Sequence, residues 1–136
     1  MMLKKLLIFL KENDCKILIK YDGERNSNKY TIKLLYNDLK RGGLGKDTDV
    51  PRDVLKDIFQ NQELFSVPDA LELFSMISDD LIKVIESEFG MESIISIMLE
   101  EKNSSVIYNF YLQIKDVTKH ASALSIKELI HIIFDQ

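Results

Sequence analysis

Two stretches of alternating residues stand near the start of the chain. In "CKILIKY", Ile17, Ile19 and Tyr21 share one side, and Lys16, Leu18 and Lys20 the other. In "KYTIKLLY", Tyr30, Ile32, Leu34 and Tyr36 share a side. A period of two is that of a strand with one buried face. "DGERNSN", between the runs, is built of turn formers, so the pair predicts an antiparallel hairpin. Ahead of it the pattern is double. Leu3, Leu6, Leu7 and Leu10 fit a helix, whereas Leu6, Ile8 and Leu10 fit a strand. With "KEND" as a tight turn into Cys15, we read Lys4 to Lys11 as a first strand, making a three-stranded meander.

After residue 50 the apolar spacing changes to three and four. Pro51 suits a first helical turn, with Asp49 as its cap and Val54, Leu55, Ile58 and Phe59 as a short apolar stripe. "SVPD", Ser66 to Asp69, has capping-box spacing. Leu71, Phe74, Ile77, Leu81, Val84, Ile85 and Phe89 then predict one long helix, ended by Gly90. Met91, Ile94, Ile95, Met98 and Leu99 predict another. "SVIYNFYLQIKDVTKHAS" is strand-like in composition, but Val106, Phe110, Ile114 and Val117 fall at spacings of four, four and three, which predicts helix. "SIKE", Ser125 to Glu128, opens a final helix through Leu129, Ile130, Ile132, Ile133 and Phe134. The expectation is one α+β domain over residues 1–136. In it a small N-terminal antiparallel β-meander or hairpin packs against about five helices.

At 136 residues, 46% hydrophobic and 29% charged, the chain has the balance of a soluble globular domain. Its longest apolar run, Leu6 to Leu10, is far short of the roughly 20 residues that span a bilayer. It is also short for a secretory signal, so the start reads as mature structure. A single cysteine, Cys15, leaves no internal disulfide and suits a reducing, cytoplasmic setting.

Charge changes the picture more. Residues 1–46 carry 11 Lys and Arg against 5 Asp and Glu, residues 47–101 carry 3 against 14, and the remainder is nearly balanced, for a net charge of −4. A middle segment that acidic is either a solvated surface or a docking surface for a basic partner.

Catalytic and nucleotide motifs fail on inspection. "LKRGGLGKDTDVP", Leu39 to Pro51, holds three of the five glycines. Aligned as a phosphate loop on Gly45–Lys46, it has Lys40 in place of the first glycine and Asp47 in place of Ser or Thr. Aligned as a dinucleotide fingerprint, Gly43 and Gly45 are followed by Thr48 in place of the third glycine. Asp47, Asp49 and Asp53 lack the central glycine and distal glutamate of a calcium loop. The glycines then serve backbone geometry where sheet passes to helix. His120 and His131 with one cysteine are too few for zinc. Asp79–Asp80 and Glu100–Glu101 are adjacent pairs, which diverge on a helix. Met76, Met91 and Met98 read as core filler. No catalytic residue, metal or cofactor is expected. A nucleic-acid surface would need Lys16, Lys20, Arg25, Lys29 and Lys33 beside Tyr21, Tyr30 and Tyr36, but the tyrosines alternate away from the lysines. Neither nucleic acid nor membrane is an expected partner.

The stretch "IKYDGERNSNKYTIKLLYNDLKRGGLGKDTDVPRDVLKDIF", Ile19 to Phe59, followed by acidic helices, resembles small α+β immunity proteins. These belong to bacterial contact-dependent growth inhibition and related polymorphic-toxin systems. The resemblance implies an antitoxin-like protein, not an enzyme, that binds and neutralises one basic toxin domain, often a nuclease. The family shares no catalytic residues. On this expectation Asp47, Asp49 and Asp53, with Glu72, Asp79, Asp80 and Glu86 on the long helix, meet the toxin. Two other classes fit the same composition: a small hydrolase with a site assembled from scattered residues, and an acidic adaptor or structural domain.

Overall fold

The computed structural model describes residues 2–38 and 40–135. Met1, Gln136 and Leu39, which opens the glycine-rich stretch, lie outside them. The chain runs α1 (Met2–Asn13), β1 (Cys15–Asp22), β2 (Tyr30–Tyr36), β3 (Gly43–Thr48), α2 (Pro51–Phe59) and α3 (Val67–Ile77). A π-helical turn (Ser78–Ile82) joins α3 to α4 (Lys83–Phe89), and β4 (Ile94–Lys102), β5 (Ser105–Ile114), β6 (Val117–Ala123) and α5 (Ile126–Phe134) follow. The strands form one antiparallel sheet in the order β3-β2-β1-β4-β5-β6. It is two three-stranded meanders laid side by side, β1 against β4, with the α2–α4 segment crossing between them in sequence.

The expected small N-terminal sheet under about five helices is therefore overturned. Among the described residues the sheet has six strands, and the helices are four once α3, the π turn and α4 are taken as one continuous body. Three segments account for the difference. Residues 2–13 are helical, with Leu6, Phe9 and Leu10 buried at spacings of three and one, so the helix period wins over the alternation. Residues 94–102 are a strand with Ile95, Ile97 and Leu99 buried. Residues 105–123 are two strands, with Tyr108, Phe110 and Leu112 buried and their neighbours not. A spacing of four is also twice two, so Val106, Phe110 and Ile114 satisfy a strand as well as a helix; pairing with β4 decides.

The hairpin is as expected, with Ile17 opposite Leu34, Ile19 opposite Ile32 and Tyr21 opposite Tyr30. So is the long helix, opened by a complete Ser66–Asp69 capping box and ended at Gly90, whose φ of 99° favours glycine. In α5 the box is altered: the Glu128 amide donates to the Ser125 hydroxyl, but the Glu128 carboxylate accepts from the Leu124 amide.

All helices lie on one face of the sheet. Their apolar sides and the inward strand residues form one buried cluster. Phe9 of α1, Phe59 of α2 and Phe65 pack as a triad with centroids 5.4–5.8 Å apart, locking α1 to α2 over the sheet. The π turn draws Ser78, Leu81 and Ile82 inward together and leaves Val84 of the predicted stripe 36% exposed.

Candidate partner-binding surface

Between Pro51 and Phe89 the chain carries nine carboxylates and three cations. These residues make the α2–α4 part of the helical layer, so its outward surface is acidic. Asp53 on α2, Glu72 on α3 and Asp79 and Asp80 in the π turn are all exposed. A groove of about 260 Å³ separates α2 from the long helix, lined by Arg52, Leu71, Phe74, Ser75, Ser78 and Asp79. Its aromatic wall continues into the sheet: Phe74 meets Tyr30 edge-on at 5.6 Å, and Tyr30 meets Tyr21 at 5.1 Å. Glu86 lies against the Tyr21 phenol; burial first, then that carboxylate, pushes the phenol up from its ordinary range.

The seven expected residues are not one set. Asp53, Glu72, Asp79, Asp80 and Glu86 belong to the helical layer. Asp79 is partly neutralised there: Lys83 Nζ lies 2.7 Å from it and the Ser75 hydroxyl donates at 3.1 Å. The Lys83 and Ser75 hydrogen bonds hold its carboxyl below the usual range. Asp49 does not cap α2, whose N-cap is Val50 with no side-chain bond. It instead accepts the Asn28 amide at 2.7 Å, tying the β3–α2 junction to the β1–β2 loop. The Thr48 hydroxyl takes the Val50 amide. Asp47 is opposite Thr31, whose register is outward, so it lies on the side of the sheet away from the helices. There it accepts the Thr31 hydroxyl at 2.5 Å and Arg25 Nη1 at 3.3 Å. The Thr31 bond, aided by Arg25 and Lys33 nearby, holds its carboxyl low against the opposing effect of burial.

The glycine-rich stretch is not the expected loop between sheet and helix. Gly43–Thr48 is the edge strand β3. At Gly45, with φ of 116°, a Cβ would sit 2.0 Å from the Ile32 carbonyl oxygen, so the glycine permits the close pairing with β2.

Other candidates are dispersed. His120, on β6, packs edge-on against Tyr111 at 4.6 Å, while His131, on α5, bonds Asp135 at 2.8 Å. Glu100 faces out from β4 and bonds Lys16 and Asn109, whereas Glu101 accepts the Ser104 amide. Met98 points to the bare side of the sheet and Met91 is 68% exposed, so neither is core filler. Cys15 opens β1, buried, with its thiol pushed from 9.0 to about 12 by burial. The carboxylates whose acidity is perturbed, Asp47, Asp69, Asp79 and Glu100, are all held low by donors or cations.

Lys83, Ser75 and Arg52 are neighbours of the acidic surface that sequence reasoning missed. An Asp79–Lys83 spacing of four on a helix was the available signal. The π turn leaves no periodic trace beyond Ile82. No family model, curated protein or solved structure matches this chain.

Proposed function

We propose that the chain is a stoichiometric binding protein of the immunity class, which captures and neutralises a basic toxin domain, a nuclease among the candidates, through the acidic outer surface of α2–α4. The observation that carries this reading is segregation. Nine carboxylates against three cations fall in the one segment, Pro51–Phe89, that makes the α2–α4 part of the helical layer; all are exposed but Asp69, buried at the α3 cap, and Glu86, half-buried. Of the cations of the first third, Lys16, Lys20 and Lys33 occupy outward positions of β1 and β2, whereas Lys5 on α1 pairs with Asp69 of α3 and Lys46 on β3 stands beside Asp57 of α2. Nuclease domains are basic where they hold phosphate, and an acidic surface competes for that cleft. Opposite fields raise association rates and make them salt-sensitive.

The docking residues in this reading are Asp53, Glu72 and Asp80, exposed on the helical layer, with Asp79 available by release of Lys83. The Phe74–Tyr30 wall supplies the apolar anchor beside them. Asp47 and Asp49, engaged elsewhere, position loops. Perturbed carboxylates that are all held ionised suit ion pairing better than general acid catalysis. Among the described residues no helix is long and apolar enough to cross a membrane; with one buried free cysteine, the proposed setting is the cytoplasm.

The test is capture from the source cell's lysate at low salt, followed by elution at high salt. A basic protein domain released by salt, whose toxicity the purified chain abolishes, is the expected result. Turnover of a small substrate by the purified chain would favour the hydrolase reading; no salt-released basic partner would leave the adaptor reading.

A further inference from the structure

Tyr108 stands on β5 within the buried cluster, 1% exposed. Among the described residues its hydroxyl is the one buried side-chain polar atom with no hydrogen-bond partner. Burial alone pushes the phenol up from its ordinary range. Buried hydroxyls are normally bonded, because an unpaired one costs stability that a phenylalanine in the same place would keep. Tyr108 also lines a cleft of about 320 Å³. Leu3, Lys4 and Leu7 of α1 form one wall and Ser105 and Val106 of β5 another, with Leu124 in the link from β6 to α5. Leu3 and Leu124 are exposed. Each polar side chain of this lining can donate a hydrogen bond, and among the described residues no carboxylate belongs to it. Nor, among them, does Lys4 have a carboxylate within 4 Å. Glu101, opposite Val106, already accepts the Ser104 amide, and Glu128 the Leu124 amide.

We propose that this cleft binds a small aliphatic carboxylic acid. The hydrocarbon lies along Leu3, Leu7, Val106 and Leu124. The carboxylate accepts the Tyr108 hydroxyl, with Lys4 supplying the opposite charge and Ser105 a second hydroxyl. The donor set selects the head group. An ionised carboxylate is all acceptor and takes several donors at once, and such charge-assisted bonds are the strong ones. An amine would meet the like charge of Lys4, and an alcohol would leave that charge unanswered. The walls select the body: aliphatic side chains with a few placed polar groups are the make-up of a small-molecule pocket. The volume stands at the low end of the roughly 300–1,000 Å³ of such sites, which suits a short chain. Binding also takes the exposed Leu3 and Leu124 out of water. No residue of α2–α4 lines the cleft, so this inference does not depend on the immunity reading.

Calorimetric titration of the full chain with hexanoate tests it, with 1-hexanol and acetate as controls. Hexanoate binds saturably, with a single site per chain, below about 10 mM. Hexanol lacks the charge and acetate the hydrocarbon, so each binds about tenfold more weakly or worse. Tyr108→Phe keeps its circular dichroism and thermal midpoint, yet weakens hexanoate about tenfold. Lys4→Gln weakens hexanoate and leaves hexanol unchanged. Lys4 is exposed, so this variant carries the test should Tyr108→Phe fail to fold. The proposal is overturned by no saturation up to about 10 mM, by hexanol bound as tightly as hexanoate, or by hexanoate binding unchanged in either folded variant. A concentration-dependent dimer that Leu124→Lys abolishes also overturns it, by making a second copy the occupant.

Discussion

Cys15 shows how one residue reports on the packing around it. It opens β1 at the edge of the core, 2% exposed, and burial pushes its thiol from 9.0 to about 12. Above pH 9 the unfolded chain loses this proton while the folded chain keeps it. The native state then binds more protons, so stability falls as pH rises from 9 toward 12. Compared with Cys15→Ala, the wild type should lose stability over that window, with a slope approaching about 1.4 kcal/mol per pH unit in urea titrations. Parallel profiles for the two proteins would mean that the thiol ionises as readily folded as unfolded. Asp69 illustrates the opposite balance. Burial pushes its carboxyl up, but the Ser66 amide and hydroxyl and Lys5 Nζ, 3.5 Å away, outweigh this and hold it low. The same residue therefore caps α3 and ties α1 to it.

At the scale of elements, β3 depends on Gly45. Its φ of 116° and a would-be Cβ 2.0 Å from the Ile32 carbonyl leave no room for a side chain. Gly42, with φ of 71°, has open space around it. Gly45→Ala should therefore cost more than Gly42→Ala, which bears only a backbone penalty of about 1 kcal/mol. Hydrogen exchange should show β3 losing protection in the first variant while β4–β6 keep theirs; equal effects at both glycines would contradict the close pairing. This strand was hard to see because half its residues up to Lys46 are glycines, and only the ladder to β2 makes it a strand. The hairpin, the long helix and both capping serines were legible because pattern, caps and turns agree locally. The segments 94–102 and 105–114 were not. "SIISIML" is nearly continuous in apolar residues because β4 is a central strand, and Val106, Phe110 and Ile114 suit either period. Of the acidic surface, the charge run was legible, but its division between the two sides of the sheet was not. Asp47 lies away from Asp53 because of strand register, a property that neighbours alone do not reveal.

The whole molecule is electrically two-sided. Acidic helices α2–α4 cover one end of the sheet, and the lysines of β1 and β2 face the opposite way. The acidic side carries the proposed function. Its Coulombic attraction acts mainly before docking, so charge changes alter association more than dissociation. The decisive measurement is stopped-flow association of the salt-released basic partner with wild type and with the triple variant Asp53→Lys, Glu72→Lys, Asp80→Lys, at low and at high salt. An on-rate lowered about tenfold or more at low salt is the expected result. The difference should shrink as salt rises, with little change in the off-rate. An unchanged on-rate at low salt, in a variant that remains folded, would contradict it.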